Sequence, residues 1–90
     1  GDTKMATYYV NVFTKSANGS IMAGCGSFNN FTVDGRLSID SAIVVARENA
    51  KKECAFKNRD YLGFAIKKST RLDFANATIV DCSVESVLFL

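Results

Sequence analysis

The chain has 90 residues, enough for one domain, and its 48% hydrophobic and 22% charged residues are typical of a globular rather than a disordered protein. It contains no histidine, which excludes Ser-His-Asp and Cys-His catalytic arrangements within one chain. Its three cysteines are an odd number with no closely spaced pair, so we expect reduced thiols, no metal, no cofactor and a cytoplasmic protein.

The N-terminal residues are polar and carry no secretory signal, and the chain has no run of 18 apolar residues, so we expect no membrane segment. Residues 1–4 are interpreted as a tag remnant or a short extension of one domain that covers residues 1–90.

Two strands are predicted before any helix. Residues 6–14 are rich in Tyr, Val and Phe on both faces, which indicates a central strand or one covered by a partner. An Asn-Gly pair within residues 16–20 predicts a hairpin turn, and residues 21–28 return as the second strand. Gly24 and Gly26 share one face of that strand, which predicts a bulge or the close approach of a backbone, a ring or a ligand.

Residues 31–33 form either a short third strand or the bulged end of the second. A helix capped by Ser38 or Asp40 is then expected to run to about Cys54. Its predicted buried stripe is narrow and rich in alanine, which favours close packing on a sheet; the stripe comprises Ile39, Ile43, Ala46, Ala50 and Cys54. Val44 and Val45 point away from it, and Glu48 and Lys52 have the spacing of a helical ion pair.

The second half of the chain predicts two further strands. Residues 61–68 place Leu62, Phe64 and Ile66 on the core face. Residues 69–76 either extend that strand or form a hairpin loop, residues 77–84 alternate as another strand, and residues 87–90 form an apolar tail. We therefore expect an α+β fold of order β-β-α-β-β, with one helix on one face of a mostly antiparallel sheet of four to five strands.

Charge is concentrated in one part of the sequence. Residues 47–71 contain eight basic and three acidic side chains, a net charge of +5, whereas the whole chain carries +2. Such a patch attracts phosphate groups, unless its members simply lie on a solvated face. We expect these residues to lie near one end of the molecule, and the predicted ligand-binding residues are Lys51, Lys52, Lys57, Arg59, Tyr61, Lys67, Lys68 and Arg71.

Aromatic residues beside cations can stack on bases, although most must fill the core; Tyr9, Phe31 and Tyr61 are the stacking candidates. Cys25, flanked by glycines, is the most plausible reactive thiol. Asp81 lies among apolar neighbours, where burial could shift its pKa, but no second carboxylate is close in sequence and we predict no catalytic residues.

Two functions of different class fit these features. The first is a small, non-enzymatic, homo-oligomeric protein that binds a nucleotide or nucleic acid through the basic patch. The alternative is a protein–protein interaction module or inhibitor that docks on a host protein through its sheet edge, Val44 and the apolar C-terminus. In its small size and its lack of a catalytic motif, this chain is similar to accessory proteins of phages and mobile elements.

Overall fold

The computed structural model describes residues 5–17, 19, 21–22 and 30–82. Within them, five antiparallel strands form one sheet and a single helix, α1, packs on one of its faces, which confirms the predicted α+β fold. The central strands are β1 (Thr7–Lys15) and β4 (Asp60–Ser69), paired along nearly their whole length. Within these ranges, no helix is both long enough and apolar enough to cross a membrane.

The first hairpin forms as its Asn-Gly signal predicts. Strand β2 (Ile21–Met22) pairs antiparallel with the end of β1, and Gly19 adopts a φ of 91° in the turn between them. The rest of the predicted second strand, including Gly24 and Gly26, lies outside the described residues.

Strand β3 (Asn30–Val33) resolves the two alternatives for this segment, because it is a short third strand. It pairs antiparallel with the first half of β1, on the edge of β1 opposite to β4. Strand β1 is therefore central, as both of its apolar faces predicted.

Helix α1 (Ile39–Phe56) begins where Ser38 caps it, since the Ser38 hydroxyl accepts a hydrogen bond from the backbone N–H of Ser41 at 3.2 Å. Its C-terminus is closed by two backbone bonds, from the N–H of Asn58 to the carbonyl of Ala55 and from the N–H of Arg59 to that of Cys54. Asn58 adopts the positive φ, 56°, that this type of helix end requires.

The buried row of α1 differs from the predicted stripe at the first two predicted positions, Ile39 and Ile43. Ala42 is fully buried, whereas Ile39 is 43% exposed and Ile43 only borders the core. The observed row comprises Ala42, Ala46, Ala50 and Cys54. These small side chains let the helix lie close to Val10, Val12, Phe64 and Ile66 of the two central strands.

A β-bulge near the start of β4 changes which side chains face the helix. Phe13 of β1 pairs with Gly63, but the next residue, Thr14, pairs with Tyr61, so Leu62 is the extra residue. As a result Tyr61 packs against the core, and the prediction that Leu62 belongs to the core is wrong. Phe64 and Ile66 occupy the core as predicted.

The last described strand, β5 (Thr78–Val80), pairs with β4 and is shorter than the sequence predicted. The ambiguous segment before it is a connection rather than an extension of β4. It is attached to β4 through Lys67, whose Nζ donates to Asp73 Oδ2 at 2.8 Å and to the carbonyl of Ala75 at 2.6 Å. The apolar tail, residues 87–90, lies outside the described residues.

Candidate anion-binding surface

The predicted ligand-binding residues lie at both ends of β4 rather than at one end of the molecule. Tyr61 and Lys68 are separated by seven residues of extended chain, which is roughly 20 Å. The helix-end group lies where α1 ends and β4 begins, and it comprises Lys51, Lys52, Lys57, Arg59 and Tyr61. The strand-end group lies where β4 ends, and it comprises Lys67, Lys68 and Arg71. Because β4 runs along the length of the sheet, the two groups lie at opposite ends of it although they are close in sequence.

One cation of the strand-end group, Lys67, already forms an ion pair within the chain. Lys67 forms the ion pair with Asp73 and holds the following connection in place. Lys68 lies over the Tyr8 ring, its Nζ 5.6 Å from the ring centroid. The Tyr8 hydroxyl donates to the carbonyl of Leu37 at 3.0 Å, so this tyrosine joins β1 to the segment before α1.

Arg59, in the helix-end group, links α1 and β4 to β1. Its Nε donates to Thr14 Oγ1 at 2.7 Å, and Thr14 is fully buried beside the bulge. Its Nη2 is buried without a hydrogen-bond partner. Arg59 thus has a structural contact that its position in a basic run did not predict.

Tyr61 belongs to an Asp81 cluster, which we define as Arg47, Lys51, Tyr61 and Asp81. Asp81 follows β5 with a φ of 65°, and its Oδ2 accepts from the Tyr61 hydroxyl at 2.6 Å. Arg47 donates to both carboxylate oxygens, through Nε at 2.8 Å and Nη2 at 3.2 Å. Lys51 Nζ lies 5.6 Å from the centroid of the Tyr61 ring. The cluster therefore connects one flank of α1 to the start of β4 and the end of β5.

Hydrogen bonds and burial shift the pKa of two members of this cluster, Asp81 and Tyr61. The hydrogen bonds from Arg47 and Tyr61 lower the pKa of Asp81, so it is ionised. Burial, together with the neighbouring carboxylate, raises the pKa of Tyr61, so its hydroxyl stays protonated. The sequence allows burial to shift the pKa of Asp81; burial does raise that pKa, but the hydrogen bonds from Arg47 and Tyr61 outweigh it and lower the pKa.

The two described cysteines, Cys54 and Cys82, are at least partly covered. Cys54 is buried and Cys82 is partly buried, and burial raises the pKa of both thiols. Cys25, the predicted reactive thiol, lies outside the described residues. Among the residues that the structure describes, no group of three or more His, Cys, Asp or Glu side chains could hold a metal ion.

The other stacking candidates lie away from the helix-end group. Phe31 packs against the core from β3, and Tyr9 is partly buried on β1. The ion pair between Arg47 and Asp81 is not predicted by the run of basic residues. The two residues are 34 positions apart, and only the placement of β5 beside β4 brings them together.

No protein-family model, curated protein or solved structure matches this chain. The function is therefore argued from the residues themselves.

Proposed function

We propose that this protein is a non-enzymatic binding protein that holds a nucleotide or a nucleic acid through the helix-end group. The observation that supports this is the state of Lys51 and Lys52, which are exposed neighbours on the penultimate turn of α1. Neither forms an ion pair with any residue that the structure describes, whereas Arg36, Arg47 and Lys67 are each paired with an aspartate. Lys57 and Arg59 add two further cations immediately after the helix.

The position of Tyr61 favours recognition of phosphates rather than bases. Its ring packs against the core, Lys51 lies over it, and its hydroxyl is bonded to Asp81. A base would have to displace Lys51 in order to stack there. We therefore assign Tyr61 the role of positioning Lys51, and we expect binding that depends on charge and varies little with base identity.

Two lysines in matched surroundings provide the test. Lys51 lies over Tyr61 and Lys68 lies over Tyr8, each with Nζ 5.6 Å from the ring centroid, but at opposite ends of β4. We would titrate a fluorescent single-stranded oligonucleotide with the unmodified chain, Lys51→Glu and Lys68→Glu at several salt concentrations. The proposal expects Lys51→Glu to weaken binding and to reduce the slope of log affinity against log salt by about 0.7, the value for one phosphate contact on a single strand.

The control variant decides between the two ends of β4. Lys68→Glu changes the net charge equally, so an effect of total charge alone would weaken binding in both variants to the same extent. That outcome, or the absence of binding at low salt to oligonucleotides and nucleotides alike, would overturn the proposal.

A protein–protein interaction module is the second candidate function. It is favoured by the apolar side chains exposed on α1, among them Val44 and Phe56. Binding through such a surface would change little with salt, whereas phosphate binding would weaken steeply.

A further inference from the structure

The outer surface of α1 carries a regular row of four exposed side chains, here called the outer ridge: Val44, Glu48, Lys52 and Phe56. Each follows a member of the buried row by two positions, which is about 200° around the helix. The outer ridge therefore faces directly away from the sheet. Its two apolar ends are well exposed, since Val44 is 52% and Phe56 is 81% accessible.

The outer ridge is complementary to a copy of itself that runs in the opposite direction. An apolar residue, an acid, a base and an apolar residue follow one another at intervals of four. Glu48 and Lys52 have the spacing that often gives an ion pair within a helix, but no ion pair forms between them in this structure. Within the described part of the chain, neither of these two charges forms an ion pair.

We propose that the outer ridge binds the outer ridge of a second copy of this chain, with the two helices antiparallel and related by a two-fold axis. In such an isologous contact, Val44 of each protomer meets Phe56 of the other, and Glu48 of each meets Lys52 of the other. Rows of residues at intervals of four on two helices pack against each other at a crossing angle of about −50°. Every side chain of the outer ridge then faces one of complementary chemistry.

Charge complementarity favours a second copy over another kind of partner. The two-fold axis pairs both charges of both protomers, whereas a ligand of one charge sign would leave either Glu48 or Lys52 unpaired. Lys52 belongs to both the outer ridge and the helix-end group, whereas Lys51 lies on a neighbouring row of the helix and contacts Tyr61. The dimer engages Lys52 and leaves Lys51 for the proposed anion site, so a loss of anion binding in Lys51→Glu does not bear on the dimer.

Charge reversal provides a specific test. We would measure the self-association of the unmodified chain, Glu48→Lys and Lys52→Glu by analytical ultracentrifugation. Each variant places only like charges in the centre of its own contact, so we expect its dissociation constant to rise by about tenfold or more relative to the unmodified dimer. The variants complement each other, so an equal mixture is expected to form a one-to-one heterodimer, detected by native mass spectrometry.

Three further variants complete the experiment. The double variant Glu48→Lys/Lys52→Glu is expected to recover self-association. Lys68→Glu makes the same charge change as Lys52→Glu on strand β4, outside the outer ridge, and is expected to leave self-association unchanged. If a charge reversal disturbs the fold, as circular dichroism would show, Phe56→Ala removes an exposed apolar contact instead and is expected to weaken the dimer. A monomeric unmodified chain, or a dimer that none of the outer-ridge variants weakens, would overturn the proposal.

Discussion

The two ends of β4 each place a lysine over a tyrosine, but they differ in how the backbone and the tyrosine hydroxyl are held. At the start, a β-bulge turns Tyr61 toward the core, and its hydroxyl donates to the carboxylate of Asp81. At the far end the pairing with β1 is regular, and the Tyr8 hydroxyl donates to a backbone carbonyl.

This difference shows that similar lysine–tyrosine contacts can have different electrostatic surroundings. The start of β4 has a fixed negative charge below Lys51, supplied by Asp81 and balanced by Arg47. At the far end, Lys67 engages Asp73 on the connection, and the Tyr8 hydroxyl engages a neutral acceptor. The effect of removing the Tyr61 hydroxyl should therefore depend on pH, whereas the effect of removing the Tyr8 hydroxyl should not, because its acceptor is a neutral carbonyl.

The largest expected effect comes from adding a side chain at the bulge. A Cβ on Gly63 would lie 2.4 Å from the carbonyl oxygen of Val80 and 2.7 Å from the sulfur of Cys82, and the φ of 155° also disfavours other residues. Because a backbone atom cannot rotate away, we expect Gly63→Ala to destabilise the fold by about 2–3 kcal/mol. Urea unfolding followed by circular dichroism would measure this change.

Gly19→Ala is the control for conformational strain alone. Gly19 also has a positive φ, 91°, but nothing lies within 4 Å of the position of its Cβ. We expect a loss of about 1 kcal/mol from backbone strain. Equal losses for the two variants would show that the close approach at the bulge contributes nothing to stability.

A smaller effect separates the two tyrosines. Removing either hydroxyl, in Tyr61→Phe or Tyr8→Phe, deletes one hydrogen bond and is expected to cost about 1 kcal/mol at neutral pH. Because the folded pKa of Asp81 lies below its ordinary value, its stabilisation is complete above about pH 4 and is lost as the pH falls through that lowered pKa.

The effect of Tyr61→Phe should therefore diminish on acidification, while that of Tyr8→Phe, which has a neutral acceptor, should not. Unfolding of both variants and the unmodified chain at neutral and acidic pH would measure this difference. A parallel response of the two variants to pH would contradict the role assigned to Asp81.

The same comparison explains what the sequence could predict. The capping of α1 by Ser38, the narrow alanine row and the alternation of Phe64 and Ile66 are local patterns, and they gave the fold class and most of the core. The local signal of the bulge is Gly63 within the strand, but a single glycine does not specify how the register shifts, and the alternation alone does not predict the inward position of Tyr61. The pairing of Arg47 with Asp81 depends on strand order, which periodicity does not contain.

The charge pattern of the sequence identifies the basic segment but does not predict which of its cations lie close together in the fold. A ten-residue strand within the basic segment carries its two halves to opposite ends of the sheet. Arg47 pairs with Asp81, which is remote from it in sequence, whereas Lys67 pairs with Asp73, which is close to it in sequence. The helix-end and strand-end groups must therefore be tested separately.

The smallest effect is local and concerns the far end of β4. The hydrogen bond from Lys67 is the main cause of the lowered pKa of Asp73, and a backbone bond from Ala75 adds to it. We expect Lys67→Gln to raise the pKa of Asp73 toward its ordinary value, since the ammonium group is lost, as measured by NMR titration of the carboxyl carbon. Arg71→Gln removes only a more distant charge and should raise that pKa less. If the two variants shift Asp73 equally, the direct contact with Lys67 does not distinguish this end of β4, and general positive charge explains the titration.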